Sequence, residues 1–399
     1  MAVPPADPST LTGKVMCGYQ GWFRIEGDGS GRGNFHYGPH NFGPEAYAHV
    51  DMWPDMSDMD DDEKYPTAFK HEDGSTAYVF SSTHRKTITR HFQWMEEHGI
   101  DGVLLQRFVG ATRTDDSRKD LAVVMENVRY GAEKHNRTWA MMYDLSGGQP
   151  GDLMGILVDD WKKLVDDAKI HRDRMYLHHK GKPVVSIWGI GFNDNRRYTL
   201  KECLELITFL KDDPQYGGNT VMIGVPTYWR EMERDSLNDP ILHEICRKAD
   251  IVSPWAVGRF GTPQDATNYT RRVAAADIIW CKENNVEYMP VAFPGFSWHN
   301  LMLSRNQKTG AISNQIPRLK GEFLSAQIRG HMENNITMMY QAMFDEIDEG
   351  TAIFKVTDNP PVGGINCFVD MEGLPSDFYL KLVGNAAKEL KQKTGKGTQ

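Results

Sequence analysis

The chain has 399 residues, of which 40% are hydrophobic and 11% aromatic, and this is enough apolar side chain for a large buried core. Its net charge is −9 and no stretch is strongly basic, so we do not expect a nucleic acid partner. No apolar run approaches the roughly 18 residues of a membrane span, and residues 1–10 are Pro-rich without the apolar core of a signal peptide.

A long stretch without helical pattern follows the first predicted strand. Residues 15–19 are apolar and predict that strand, whereas residues 20–86 hold only one further candidate strand, at 78–81. The glycine-rich residues 27–33 lack the Gly-Lys-Ser/Thr of a phosphate-binding loop. Stretches of this length usually serve as lids or binding loops, so we expect residues 20–86 to cover one end of the fold.

From residue 88 onward, apolar strands alternate with amphipathic helices. Gly99 is placed to end the first helix, and Thr199 with Glu202 has the pattern of a capping box. Continuous apolar strands separated by helices indicate a parallel sheet covered on both faces. The later strands are predicted at residues 102–106, 139–143, 184–188, 221–225, 251–254, 288–293 and 337–344.

Eight such strands predict an α/β fold, a (β/α)8 TIM barrel. We expect one domain over residues 1–399, with a long loop insertion (about 20–86) after strand 1 on the active face. An open, doubly wound sheet is the alternative, although no Gly-x-Gly-x-x-Gly follows the first strand.

Aromatic and polar side chains recur at the C-terminal ends of the predicted strands, where barrel enzymes carry their active sites. Rings can pack against the C–H face of a sugar while polar neighbours bind its hydroxyl groups. Core packing explains any one ring better, but it does not explain the whole set at one rim. The expected substrate-binding residues are Tyr19, Trp22, Arg107, Tyr143, Asp144, Trp188, Tyr228, Trp255, Trp298, His299 and Asp345.

The last predicted strand ends in four acids within five positions, namely Asp345, Glu346, Asp348 and Glu349. Carboxylates this close raise one another's pKa, and sites with shifted carboxylates are often catalytic. A solvated acidic turn is the alternative interpretation. With the aromatic rim, paired carboxyls suggest glycoside cleavage, in which one donates a proton to the leaving oxygen and the other acts as nucleophile or base.

Other enzyme classes lack their signatures here. A barrel metal hydrolase would carry His-x-His at the end of strand 1, where this chain has Tyr-Gln-Gly-Trp, and no Gly-x-Ser-x-Gly marks a serine nucleophile. His178 and His179 precede a strand and are expected at the opposite end of the barrel. The acidic run at residues 58–63 predicts a solvated turn. We therefore expect no metal and no cofactor, and the five cysteines, which lack Cys-x-x-Cys spacing, are expected as free thiols.

Three short motifs resemble glycoside hydrolase family 99 and its relatives in family 71. Residues 344–351, Phe-Asp-Glu-Ile-Asp-Glu-Gly-Thr, are similar to the Phe-Asn-Glu-Trp-x-Glu-Gly-Thr that closes the family's barrel. Residues 18–23 resemble its aromatic first strand, and residues 294–298 its seventh-strand turn. Asp345 and Ile347 stand where the family has Asn and Trp.

The resemblance implies a metal-free retaining glycosidase with a (β/α)8 fold, typically an endo-acting α-mannosidase. By position, Glu346 matches the family's general base, which deprotonates the sugar's own 2-hydroxyl, and Glu349 matches its general acid/base. Asp144 falls where a strand-three carboxylate is common. The family resemblance also implies a secreted or periplasmic protein. We expect a monomer that acts on an oligosaccharide or polysaccharide; a catalytically inactive carbohydrate-binding barrel is the alternative.

Overall fold

The structure, a computed structural model, describes residues 4–307 and 311–396. The strands are β1 (Lys14–Tyr19), β2 (Tyr65–Lys70), β3 (Thr76–Val79), β4 (Gly102–Phe108), β5 (Thr138–Asp144), β6 (His178–His179), β7 (Lys182–Trp188), β8 (Thr220–Val225), β9 (Ile251–Pro254), β10 (Glu287–Tyr288), β11 (Val291–Ala292) and β12 (Met338–Gln341). The helices are α1 (Arg85–His98), α2 (Asp115–Lys134), α3 (Val158–Asp166), α4 (Leu200–Asp212), α5 (Ile241–Lys248), α6 (Pro263–Tyr269), α7 (Ala275–Glu283), α8 (His299–Ser304), α9 (Glu322–Glu333) and α10 (Phe378–Lys393). Within these described ranges, none of the helices combines the length and apolar character of a membrane span.

Parallel strands close into a barrel. The order around the sheet is β10, β9, β8, β7, β5, β4, β1, β12 and β11. β10 and β11 are halves of one strand position and join both edges of the sheet. Between them, the Met289 N–H donates to the Val252 carbonyl at 3.0 Å, and the Pro290 carbonyl accepts from the Tyr340 N–H at 2.9 Å. In the part of the chain that the structure describes, the ring thus has eight strand positions. The (β/α)8 prediction is confirmed, and the open doubly wound alternative is wrong.

Two predicted strands are shorter in the structure. Residues 288–293 predict one continuous strand, but Pro290, which has no N–H to donate, lies between the short β10 and β11. Residues 337–344 likewise predict one strand, of which β12 covers only the first part. The backbone then turns, and the Phe344 N–H donates to the Gly18 carbonyl of β1 at 2.7 Å. The acids at 345–349 therefore lie on a loop rather than at a strand end.

Local sequence signals set two helix boundaries as predicted. Gly99 caps α1 in the left-handed conformation, with φ of 78°. At the start of α4, the Thr199 hydroxyl accepts from the Glu202 N–H, and the Glu202 carboxylate accepts from the Thr199 N–H, which confirms the capping box.

The segment between β1 and α1 is folded. It contains the antiparallel pair β2–β3 and a ring cluster in which Trp53 packs against Phe42 and Phe69, with centroids 5.8 and 5.3 Å apart. The sequence predicts a strand only at residues 78–81 and misses β2, because Pro66 and the exposed polar positions of β2 obscure its apolar alternation. The buried rings join this segment to the hydrophobic core of the barrel.

His178 and His179 lie at the N-terminal end of the barrel, as predicted. They form β6, which pairs with the first residues of β7. His179 Nε2 lies 2.9 Å from Oε2 of Glu287, the first residue of β10. Because the N-terminal ends of parallel strands share one edge, this pair is remote from the opposite rim.

Candidate active site

A large cavity opens at the C-terminal ends of the barrel strands. Its volume of about 690 Å³ is in the range of small-molecule sites. The ends of β4, β5 and β7, the first turns of α2 and the segment that follows β1 all contribute to its wall. The sequence-predicted residues that line it are Trp22, Arg107, Asp144, Trp188, Trp255, Glu346 and Glu349.

The loop after β12 carries both glutamates into this cavity, and their surroundings differ. Both carboxylate oxygens of Glu346 accept hydrogen bonds, from Gln20 Nε2 and from Thr351 Oγ1, each at 2.6 Å. Within residues 4–307 and 311–396, the Glu349 carboxyl has no hydrogen-bond partner. Donors therefore stabilise the ionised form of Glu346 but not that of Glu349.

Burial and mutual repulsion raise the pKa of the acids in this loop. Burial is the largest cause and raises the pKa of Asp345 to about 7 and those of Glu346 and Asp348 to about 8. The pKa of Glu349 lies well above its ordinary value, because burial and the charges of Glu346 and Asp348 all oppose its ionisation. The two hydrogen bonds to Glu346 act in the opposite direction on that residue. Glu349 therefore holds its proton more tightly than Glu346 does.

Asp345 does not line the cavity but fixes the backbone beside it. Its two carboxylate oxygens accept from the N–H groups of Gln20 and Gly21, both at 2.8 Å. These bonds join the loop after β12 to the chain that leaves β1, and they place the Gln20 side chain against Glu346. Asp345 thus acts on the site through Gln20.

Three of the predicted tryptophans line the cavity. Trp188 and Trp255 meet edge to face, with ring centroids 5.2 Å apart and planes at 76°. His36 stacks on Trp22 at 3.6 Å, and Phe108 packs against it at 5.3 Å. Because two other rings already contact Trp22, it offers a ligand less open surface than the sequence suggests.

Asp144 and Arg107 both belong to the cavity wall, at the ends of β5 and β4, but the Arg107 side chain points toward α3, as that of its sheet partner Tyr143 does. Burial raises the pKa of Asp144 to about 6, against the effect of its hydrogen bond from the Ser146 N–H at 2.7 Å. Arg107 donates two hydrogen bonds, at 2.6 and 2.7 Å, to Asp160 of α3. The Arg107 charge is therefore already matched, and Asp144 is the freer of the two to bind a ligand.

Tyr19 and Tyr143, which the sequence places among the substrate-binding residues, do not line the cavity. Both are buried, and both reach surrounding helices: Tyr19 Oη lies 2.8 Å from His91 Nδ1 of α1, and Tyr143 Oη donates to Asp160 of α3 at 2.6 Å. Successive strand side chains point to opposite faces, and these two point outward.

Trp298, His299 and Tyr228 also lie outside the cavity lining. Trp298 and His299 are at the start of α8, where the His299 N–H donates to Asp51 at 2.7 Å. Tyr228 lies under the Arg234 guanidinium, 4.3 Å from the ring centroid. These three residues, like Tyr19 and Tyr143, have no contact with the cavity in this structure.

The cavity also receives side chains that the sequence did not single out. Gln20 follows directly after β1 and lies inside the motif at residues 18–23. Its position in that motif could have identified it as a site residue from the sequence. His36 and Arg305 come from irregular segments and carry no local signal. Gln106 and Tyr340 lie on neighbouring inward-facing positions, and Gln106 Nε2 donates to Tyr340 Oη at 3.1 Å.

One acidic cluster in the described residues has the geometry to hold a metal ion. It consists of Asp60, Asp62 and Glu63, none of which lines the cavity. Lys86 lies 2.7 Å from both Asp60 and Asp62, and Arg90 pairs with Glu63 at 2.5 Å. Protein cations thus already balance this cluster.

Comparison with known proteins defines the class of this fold. Neither a protein-family model nor a curated protein matches the chain. Among solved structures, the chain is similar to the family 99 endo-α-mannosidase of Bacteroides thetaiotaomicron, with 15% identity, coverage of 97% of this chain and 100% of that chain, and a TM-score of 0.64. A second structure of that enzyme, in complex with bis-tris propane, has 14% identity to this chain and a TM-score of 0.62. The match covers 96% of this chain and 98% of that chain.

The fold is therefore a (β/α)8 barrel similar to that of a family 99 enzyme over nearly the whole chain. The resemblance that the three motifs suggest is confirmed at the level of the fold. At this sequence identity the likeness establishes the fold alone, and the chemistry has to be argued from the site.

Proposed function

We propose that the protein is a retaining glycoside hydrolase that cleaves an α-linked glycan. The observation that carries this proposal is the difference between Glu346, held by two donors, and Glu349, which has none in the described part of the chain. Two carboxyls in one cavity with unlike affinities for a proton supply a base and an acid. The similarity to endo-α-mannosidases makes α-mannosides the first substrates to test and endo action the expected mode.

In the first step, Glu346 takes the proton of the sugar's 2-hydroxyl as that oxygen attacks the anomeric carbon. The bond from the anomeric carbon to the leaving oxygen breaks, and Glu349 gives its proton to that oxygen. The products are a 1,2-anhydro sugar and the released alcohol. The ordinary alternative, attack by the carboxylate itself, gives the same retained configuration.

In the second step, water attacks the anomeric carbon and gives a proton to Glu349. The bond between the anomeric carbon and the 2-oxygen breaks, and that oxygen takes back the proton that Glu346 holds. Both glutamates return to their initial states, and two inversions leave the configuration unchanged.

Substitution of each glutamate tests these roles. We expect Glu349→Gln to lose about 100-fold or more in kcat on natural glycosides but to retain turnover of activated aryl glycosides, which need little protonation. Glu346→Gln should lose both. Glu389→Gln is the control, because it makes the same change at a half-exposed residue of α10. Its activity should match that of the wild type.

Proton NMR of the first product distinguishes the mechanism. We expect the first product to keep the anomeric configuration of the substrate, and we expect a 2-O-methyl substrate to be inert. Inversion at the anomeric carbon would contradict the proposed mechanism. The second candidate function, a carbohydrate-binding protein without activity, is supported if the wild type binds α-linked oligosaccharides and turns over none of them.

A further inference from the structure

His36 reaches the cavity from the glycine-rich loop after β1 and is held there on two sides. Its ring stacks on Trp22, with centroids 3.6 Å apart and planes 8° from parallel. Its Nδ1 lies 2.8 Å from Oδ2 of Asp348. Its backbone is left-handed, with φ of 61°, which is unfavourable for a residue other than glycine. Strained residues of this kind persist where their surroundings hold them, and they cluster at ligand sites.

The second ring nitrogen of His36 is left for a ligand. In the described residues Nε2 makes no hydrogen bond, and the side chain, which lines the cavity, is 22% exposed. Asp348 is only 1% exposed and lies between Glu346 and Glu349 in the chain. A carboxyl that binds one imidazole nitrogen fixes the ring's orientation and its tautomer, so the other nitrogen points in a defined direction.

Charge and burial keep this ring neutral. Burial, followed by the charges of Arg305 and Arg24, lowers the pKa of His36 to about 3, whereas burial raises that of Asp348 to about 8. The lowered pKa keeps the ring neutral near neutral pH, so one ring nitrogen carries a proton and the other can accept a hydrogen bond. Because Asp348 binds Nδ1, Nε2 is the nitrogen left to bind a ligand.

We propose that His36 and Asp348 form a dyad that recognises the glycan. Asp348 orients the imidazole, and His36 Nε2 forms a hydrogen bond with a hydroxyl group of the bound sugar. This rests on the proposed function in one respect, that the ligand is a glycan. His36 contacts the ligand, whereas Asp348 is a positioning residue.

Asp348 also affects the two glutamates electrostatically. Its negative charge raises the pKa of both Glu346 and Glu349. Removal of that charge should let both glutamates ionise at lower pH. The charged or titratable groups that face Asp348 or His36 are Arg24, Tyr37, His49, Asp51, Arg305, Asp345, Glu346 and Glu349.

Binding to an inactive enzyme tests the ligand contact without turnover. In a Glu349→Gln background, calorimetric titration with α-1,2-, α-1,3- and α-1,6-mannobiose would compare His36→Asn with His40→Asn. Asn suits a left-handed backbone, so the first change removes the ring without adding strain. His40 is in the same segment, 84% exposed, and does not line the cavity. We expect His36→Asn to raise Kd about five- to tenfold and His40→Asn less than about twofold.

The pH dependence of kcat/KM tests the positioning role. Asp348→Asn should move the alkaline limb to lower pH, because Glu349 loses its proton more easily when Asp348 carries no charge. Imidazole NMR on 15N-histidine-labelled wild type, with His36 assigned from the His36→Asn spectrum, should show the His36 ring neutral from pH 5 upward.

Each contrary result is distinct. Equal affinities of the two histidine variants, no binding of any mannobiose by the Glu349→Gln enzyme, or protonation of the His36 ring between pH 5 and pH 7 would overturn the dyad. An unmoved alkaline limb in Asp348→Asn would also overturn it. Binding that depends on His36, in a wild type that turns over no α-linked glycan, would contradict the glycosidase proposal and leave the dyad standing.

Discussion

Thr351 gives Glu346 a hydrogen bond that Glu349 lacks in the described part of the chain, so the two glutamates have different surroundings. It lies five residues after Glu346, and its hydroxyl donates to Glu346 Oε2 at 2.6 Å. This hydrogen bond lowers the pKa of Glu346, against the larger effect of burial. In the proposed mechanism Glu346 is the base and has to be ionised to accept a proton, so this hydroxyl favours the form that the mechanism needs.

Thr351→Val removes the hydroxyl and keeps the shape of the side chain. The pKa of Glu346 should rise, so the acidic limb of the kcat/KM profile should move to higher pH by about one unit, the equivalent of about 1.4 kcal/mol. Thr351→Ser keeps the donor and should keep the wild-type profile. Identical profiles for the Val and Ser variants would show that this hydrogen bond does not control the base.

Side-chain direction limited what the sequence could predict about individual residues. The acids at 345–349 and the tryptophans Trp188 and Trp255 follow from their positions near strand ends. Tyr19 and Tyr143 follow from the same rule and yet point to the outer helices. A barrel strand is apolar on both faces, so its sequence lacks the alternation that would distinguish inward from outward positions.

At the level of elements, α2 and the loop after β1 form one side of the cavity together. Arg24 pairs with Asp120 of α2, and Arg32 lies 3.2 Å from Asp120 and 3.3 Å from Asp116. Asp120 is the shared partner and has 21% of its side chain exposed, whereas Asp116 has 65%. The loop is therefore attached to the helix mainly through Asp120.

Asp120→Asn should loosen this attachment. We expect faster hydrogen exchange at residues 27–33 and a KM raised about threefold or more, with little change in melting temperature, because the pairs lie at the cavity rim rather than in the core. Asp116→Asn is the control, because among the contacts between the loop and α2 it alters only the more exposed one, from Arg32 to Asp116. Equal exchange rates in the two variants would show that the loop is held by other contacts.

The elements themselves were more predictable than the residues. Caps such as Gly99 and Thr199 act within a few residues of sequence, so the helix ends could be predicted. β2 could not, because its pairing with β3 and its packing against the ring cluster decide its conformation. His36 reaches the site through the same segment, whose course depends on tertiary contacts.

Across the whole molecule, two sets of buried groups make stability depend on pH with opposite signs. Buried acids bind protons in the folded state at a pH where the unfolded chain has lost them, so they destabilise the fold as pH rises. Buried histidines stay neutral in the folded state at a pH where those of the unfolded chain are protonated. They therefore destabilise the fold as pH falls below about 6.5. The acids with pKa raised to between about 6 and 8 are Asp144, Asp277, Asp345, Glu346 and Asp348, and the histidines with pKa lowered to about 3 or 4 are His36, His91, His171 and His331.

Stability should therefore fall between pH 6.5 and pH 8.5. Over this interval the histidines of the unfolded chain lose their remaining protons, so their effect fades, whereas each acid still destabilises the fold by up to about 1.4 kcal/mol for every pH unit crossed. Urea unfolding at pH 6.5 and 8.5 measures the difference. Glu349→Gln should reduce it and Glu389→Gln should not; a stability that rises over this interval would contradict the raised pKa values.

The loop after β1 is attached at two points to the loop after β12, once where Asp345 binds the backbone of Gln20 and Gly21 and once where Asp348 binds His36. For protein engineering, the two segments should consequently be transferred together as one unit. A graft of residues 20–36 alone onto a related barrel would bring His36 without its carboxyl. A graft of residues 345–348 alone would bury the carboxyls of Asp345 and Asp348 without the groups that bind them here. New specificity is best introduced by moving both segments in a single exchange.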